Sequence, residues 1–408
     1  MERVIFHCDC NSFYASVELL SHPELRTRPV AVCGDPRSRH GIILAKNEPA
    51  KAQGVKTAET IWQARRKCPD LILLPAHHEL YRAYSKKVNA IYERFTDLVE
   101  PFGIDESWLD VTGTLHLFGG DAAALADRIR DTVRSELGLT VSVGVSFNKV
   151  FAKLGSDYKK PDATTCITAE NFRRIVWPLP VTDLLFVGRA AARVMGQYGI
   201  HTIGQLAAFD REALVRLLGK AGGQLWSYAN GLDSSPVAPA GQYTPPKSVG
   251  NGLTFPHNLT TREEVRQGLA LLCDQVAVRL RRHGLKAATV QVTIRDPDFK
   301  DICRQRPLDA PACTARELHR AAVDIVARAW RPNAPIRALT VTAHNLIPEE
   351  ECAEQQTLFD AQAPQRRERV EKLERAMDAI RDKYGRDALT TGTLAAPSKE
   401  DGEDNLPF

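Results

Sequence analysis

Long apolar runs are missing from this chain of 408 residues. No stretch approaches the ~18 consecutive apolar residues that a membrane-spanning helix needs. Met1-Glu2-Arg3 leads into a brief apolar strand and then Asp9, without a basic leader or a small-residue cleavage site, so no secretory signal is expected. Disulfide spacing is missing too. The nine cysteines form no Cys-x-x-Cys pair, and an odd count without a framework predicts reduced thiols in a cytoplasmic protein. Cys8 and Cys10 fall on one strand face, where packing accounts for them. Cys68, His77 and His78 match no zinc-ligand spacing. There is no internal repeat of fixed period. At 43% hydrophobic and 25% charged residues, the composition is that of a soluble globular protein, with length for roughly two to four domains.

Charge is unevenly placed. Residues 1–245 carry 29 Lys+Arg against 26 Asp+Glu, residues 246–345 carry 16 against 9, and residues 346–408 carry 9 against 15. A basic segment between a near-neutral body and an acidic tail predicts a polyanion-facing module, although an arginine-rich solvated face would give the same count.

Residues 1–10 read as a buried strand, because Val4-Ile5-Phe6 is contiguous rather than alternating. Residues 11–75 read as short basic helices and turns, and residues 76–95 show helical spacing. Strand, turn and strand follow around Asp105-Glu106, then an Ala-rich helix near 121–137, a strand from Thr140 and a helix from about Asn148. This order predicts an α+β sheet with helices on one side. Residues 170–232 turn helical and Gly-punctuated. Pro236, Pro239, Pro245 and Pro246 mark a linker over 236–246. Residues 247–346 read as strand, helix, strand, strand, helix, strand.

Asp9 ends the first apolar strand, and Asp105-Glu106 follow Gly103 at a predicted hairpin tip. Carboxylates at such a tip can simply face water. Asp9, where a solvated carboxylate is not expected, favours a shared site. Three carboxylates drawn from distant segments suit Mg²⁺, a hard ion held by oxygen, and a pair of such ions suits phosphoryl transfer.

The segments Asp9 to Glu18, Ile104-Asp105-Glu106-Ser107, Ser142 to Pro161 and Lys247-Ser248-Val249-Gly250 together resemble the Y-family, translesion-type DNA polymerases, close to the bacterial DNA polymerase IV group. The likeness covers roughly residues 1–346 in order. It implies a multidomain right hand: a ferredoxin-like palm (1–10 and 76–165), small fingers (11–75), a helical thumb (166–235), an α+β little finger (247–346) and a tail (347–408). It further implies an error-prone polymerase working in damage tolerance. Asp9 and Asp105 would bind two Mg²⁺ ions, Glu106 would complete the catalytic site, and the Cys10 carbonyl would ligate the nucleotide-bound ion. Phe13 and Tyr14 would face the nucleotide, with Tyr14 as a steric gate against ribose. Lys160 would bind triphosphate. Where many relatives carry a Tyr and an Arg, this chain has Glu48 and Lys51; Lys51 would stand in for the arginine without its fork, and Glu48 would point away. Asn11, often an aspartate in this motif, is a second departure.

Leu185 to Ala190 and Tyr198 to Leu206 resemble a helix-hairpin-helix, in which Gly188 would offer backbone N–H groups to DNA phosphate. Phe186 occupies the place of its first glycine, and a plain helical hairpin would also fit. Lys247, Lys300, Arg304 and Arg306 would contact the backbone of primer-template DNA; alternation puts Arg304 and Arg306 on one face. In the tail, Gln355-Gln356-Thr357-Leu358-Phe359 looks like a sliding-clamp peptide, with Gln355, Leu358 and Phe359 as its anchors; Asp404 to Phe408 is a fainter second candidate. Val370, Leu373, Met377, Ile380 and Tyr384 make one helical stripe that would dock on the body or a partner. A monomer is expected. A nucleotide cyclase would share the metals and carboxylates but has no use for the DNA- and clamp-binding features.

Overall fold

Burial on both faces explains the opening strand: all six residues of Ile5–Cys10 are buried, with partners on either side. The computed structural model describes residues 3–35, 41–242, 245–352, 363–385 and 388–389. They divide into two units, Met1–Tyr243 and Thr244–Phe408. No helix among the described residues is long and apolar enough to cross a membrane.

The strands of the first unit are β1 (Ile5–Cys10), β2 (Val30–Cys33), β3 (Ile43–Lys46), β4 (Ile72–Pro75), β5 (Val99–Pro101), β6 (Glu106–Asp110), β7 (Val141–Ser146) and β8 (Thr164–Ile167). One sheet runs β5-β6-β1-β7-β8, and a second runs β3-β2-β4. The second sheet corrects the expectation for residues 11–75. Its strands are four residues each, too short for periodicity to separate from turns. The first sheet also runs to Ile167, two residues past the expected boundary.

Antiparallel register sets Asp9 opposite Glu106 and His7 opposite Trp108. Gly144 of β7 lets the Lys149–Tyr158 helix lie close on the sheet: a Cβ there would overlap the Ala152 carbonyl, and one on Gly155 would come within 2.9 Å of Gly144 Cα. That close seat delivers Lys153 and Ser156 to the face bearing His7 and Asp9. Beyond the sheet, the chain is helical from Phe172–Ile175 to Lys220–Ala229, as expected.

The second unit has β9 (Ser248–Leu259), β10 (Leu285–Arg295), β11 (Asp301–Ala312) and β12 (Ile336–Pro348), in the order β11-β10-β12-β9. Helices Arg262–Arg282 and Ala315–Ala329 pack on one face, where Val290, Val292, Leu339 and Val341 meet Leu269, Leu272, Leu318 and Ala322. The last helix, Ala363–Tyr384, docks on this unit. It does so through Glu371, Glu374, Asp378 and Arg381, while Leu373, Ile380 and Tyr384 of the expected stripe stay exposed.

Candidate active site

Backbone hydrogen bonds build the carboxylate tip. Phe102 N and Gly103 N both donate to the Glu106 carbonyl, at 2.9 and 3.2 Å, and Cys10 N donates to the Asp105 carbonyl at 2.9 Å. The turn thus ties Asp105 to the end of β1 while Glu106 enters the ladder opposite Asp9. The adjacent pair turns toward one site, as the hairpin argument required.

A cleft of about 550 Å³ opens there, lined by Asp9, Cys10, Phe13, Tyr14, Lys51, Asp105, Glu106 and Lys160, all expected from the sequence. Lys46, Thr57 and Lys153 line it too, and the sequence reading had passed over them. Lys153 Nζ lies 3.1 Å from Asp9 Oδ2, 3.5 Å from Asp157 and in contact with Glu106. Lys160 Nζ lies 2.7 Å from Asp9 Oδ2 and 2.6 Å from Asp157. Lys46 donates to Thr57 at 3.0 Å. The one available signal for Lys153 was its place four residues after Lys149, on a helix start recognised only as a motif. His7 was missed for a different reason: a lone histidine in a strand looks like core. Its Nε2 lies 3.3 Å from Glu106 Oε2, and its Nδ1 lies 2.8 Å from Ser156 Oγ.

The electrostatics divide the carboxylates. Burial, then the charges of Asp9 and Glu106, push Asp105 up to about 6. Burial alone would raise Glu106, but its contacts with His7 and Lys153 hold it down at about 2. Burial works against the charged form of Lys153, and Asp9, Asp157 and Glu106 outweigh it, so its pKa rises. Burial, then the neighbouring Lys51, lowers Lys46.

The donor set fits a hard divalent cation: clustered carboxylate oxygens, with two ammonium groups already drawn to Asp9 as stand-in cations. Asn11 takes no part. Its buried amide donates to Ser142 Oγ at 2.8 Å and accepts from Asp162 N at 2.9 Å, so both ends are occupied. Tyr14 stacks on Tyr81 with ring centres 4.0 Å apart and 14° between planes, which leaves its ring fixed along the cleft wall.

Two family models match this chain: the impB/mucB/samB family over residues 8–157, and that family's C-terminal domain over residues 246–358. DNA polymerase IV of Acetivibrio thermocellus is 48% identical over 97% of this chain and 98% of its own length. DNA polymerase IV 1 of Bacillus subtilis is 38% identical over 96% of this chain and 92% of its own. The chain belongs to the impB/mucB/samB family. The likeness to Y-family, DNA polymerase IV-type proteins seen in the motifs is thereby borne out. A solved Y-family DNA polymerase chimera of Dbh and Dpo4 shares the fold, with a TM-score of 0.75 at 23% identity over 84% of this chain and 99% of that one.

Within this family fold, the other expected residues are placed as follows. Lys51 pairs with Glu48 at 3.5 Å on the surface, and Glu48 is absent from the cleft lining. Gly188 caps the Arg189–Gln197 helix, and Phe186 takes φ 69°, the left-handed conformation that the missing glycine would have adopted. Lys247, Lys300 and Arg304 are exposed. Arg304 and Arg306 share a face, as alternation predicted, opposite Val292 and Val290; the helices on that side reach Arg306, while Arg304 stays exposed. Arg306 accordingly ion-pairs with Asp324 of the Ala315–Ala329 helix at 2.6 Å and is not a free cation on the open sheet. Gln355, Leu358 and Phe359 lie outside the described residues.

Proposed function

We propose that this chain is a template-directed DNA polymerase of the lesion-bypass type, which joins a deoxynucleotide to a primer 3′-hydroxyl and releases pyrophosphate. The observation that carries this is the single cleft that Asp9, Asp105 and Glu106 line together with Lys46, Lys51, Lys160 and the ring of Tyr14. The β5-β6-β1-β7-β8 sheet, which ends at Ile167, serves as palm, residues 11–75 as fingers, 168–235 as thumb and 247–346 as little finger.

Asp9, Asp105, Glu106 and the Cys10 carbonyl would hold two Mg²⁺ ions. When bound, such ions neutralise phosphate charge and make the attacking hydroxyl more acidic. The chain's own residues do the positioning. Lys160, Lys51 and Lys46 bind the triphosphate as point charges, which suits a flexible polyanion better than a planar carboxylate. Phe13 seats Tyr14, whose ring lies along the sugar edge and excludes a 2′-hydroxyl. Cys10 N–H holds the Asp105 carbonyl and thereby the tip. Positioning of this kind supplies much of the acceleration in phosphoryl transfer.

Gly188, Lys247, Lys300 and Arg304 contact the DNA backbone, which makes binding sequence-neutral and salt-dependent. Gln355 to Phe359 bind the replication clamp through two apolar anchors and an amide. Primer extension with Mg²⁺ tests the core of the reading: wild type extends a primed template, Asp105→Ala does not, and equal extension by both would remove the site.

A further inference from the structure

The helix-covered side of the second unit carries an open groove of about 320 Å³, lined by the first turns of the Arg262–Arg282 helix and the last turns of the Ala315–Ala329 helix. Val265, Leu269, Val323, Val326 and Trp330 form its apolar floor. The Trp330 indole N–H donates to the Ala334 carbonyl at 3.0 Å, which fixes the ring and leaves its face apolar. Arg262, Arg266 and Arg331 stand on the rim, all exposed. Among the described residues no carboxylate lines the groove, and none of these three arginines has an ion-pair partner. Acids close by are engaged elsewhere: Glu264 accepts from Thr260 N and Thr261 N at 2.9 Å, and Asp324 holds Arg306. An apolar trough beneath three unpaired cations suits an acidic peptide with apolar anchors.

We propose that this groove takes the chain's own acidic segment Glu400 to Phe408, with Leu406 and Phe408 on the apolar floor and the carboxylates before them on the arginine rim. The segment lies outside the described residues. Its sequence carries Glu400, Asp401, Glu403 and Asp404 without a Lys or Arg, followed by Leu406-Pro407-Phe408. Residues 353–362, tethered at both ends, carry only Glu354 and Asp360 and complement three arginines less well. Reach is sufficient. Arg381 ties the end of the Ala363–Tyr384 helix to Asp274 at 3.0 Å and donates to the Leu389 carbonyl at 3.0 Å. Asp274 is twelve residues along its helix from Arg262, about 18 Å at the rise of an α-helix. The sixteen residues 390–405 span ~20–24 Å as a flexible chain, so the tether matches the gap and gives the segment an effective concentration of order millimolar. Pro407 restricts the backbone between the two anchors, which lowers the cost of ordering it. Docked there, the segment neutralises the rim and covers its own anchors, and any partner that takes either must displace it first.

The inference does not rest on the polymerase reading, and its test needs neither DNA nor nucleotide. A fluorescein-labelled peptide of residues 398–408 is titrated into full-length protein and followed by anisotropy. In wild type the tethered segment already occupies the groove, so the peptide is expected to bind at least about tenfold more weakly than it binds the full-length Leu406→Ala/Phe408→Ala variant. Binding to that variant should weaken as salt is raised. It should fall by at least about tenfold when Arg262→Glu, Arg266→Glu and Arg331→Glu are added at their exposed positions, with folding checked by circular dichroism. An unlabelled peptide carrying Leu406→Ala and Phe408→Ala should not compete. No binding to the emptied variant, equal binding to it and to wild type, or undiminished binding to the charge-reversed groove would overturn the proposal. Should the charge-reversed protein not fold, the anchorless peptide decides: full competition by it counts against the groove. Sedimentation equilibrium tests the other occupant, since a wild-type dimer that the Leu406→Ala/Phe408→Ala variant loses would put the segment in a second copy's groove and refute docking within one chain.

Discussion

Arg281 holds Asp378 with two hydrogen bonds, Nε to Oδ2 at 2.7 Å and Nη2 to Oδ1 at 3.0 Å, across 97 residues of sequence. The same guanidinium touches Glu374 and donates to the Cys313 carbonyl at 2.9 Å. Lys286 repeats the arrangement with Glu371 at 2.8 Å. Part of the charge asymmetry between residues 246–345 and the acidic tail is therefore satisfied inside one unit, by the tail's own helix. The basic module still has exposed cations, but fewer than the sequence count suggested.

Arg281→Ala should detach the Ala363–Tyr384 helix. Breaking a buried pair leaves its carboxylates uncompensated and costs about 3–5 kcal/mol. Limited proteolysis should cut within residues 363–385 in the variant and not in wild type. Unchanged protection would mean the helix is held by packing.

The raised pKa of Asp105 makes a signed prediction for metal-free protein. A carboxyl held at about 6 keeps its proton in the folded state at pH values where the unfolded chain has lost it. Its contribution favours folding below the unfolded value and is lost as pH rises through about 6. In chelator, Asp105→Asn should therefore be more stable than wild type at pH 8, by roughly 1–2 kcal/mol after solvent screening. The difference should vanish near pH 4. Thermal melts at the two pH values check both halves.

Tyr14 should discriminate by its ring and not by its hydroxyl. Tyr14→Ala is expected to raise ribonucleotide incorporation at least about tenfold, a loss of roughly 1.4 kcal/mol of discrimination. Tyr14→Phe, which keeps the stack on Tyr81, should behave as wild type in the same gel assay. If Tyr14→Phe relaxes selectivity equally, the steric argument fails.

Phe186 stores backbone strain in the open, with φ 69° and 63% of its surface exposed. A bulky residue at positive φ costs of order 1–3 kcal/mol. Phe186→Gly should raise the melting temperature, gaining about 1 kcal/mol, because glycine enters that region without strain. A lower melting temperature would show that the exposed ring is held by contacts that outweigh the strain.

Sequence alone determined the strand-end carboxylates, the family motifs, the α+β order of elements and the helix-strand pattern of residues 247–346. These are local or carried by long periodic segments, where spacing maps directly onto faces. Tertiary structure decided the rest. The sheet in residues 11–75 has strands too short to show a period. Arg306 joined Asp324 because the buried side of β11 depends on which face the helices cover, and alternation cannot say which. His7 and Lys153 joined the carboxylates because Gly144 and Gly155 let a helix settle directly on the sheet, a contact between elements that neither segment encodes by itself.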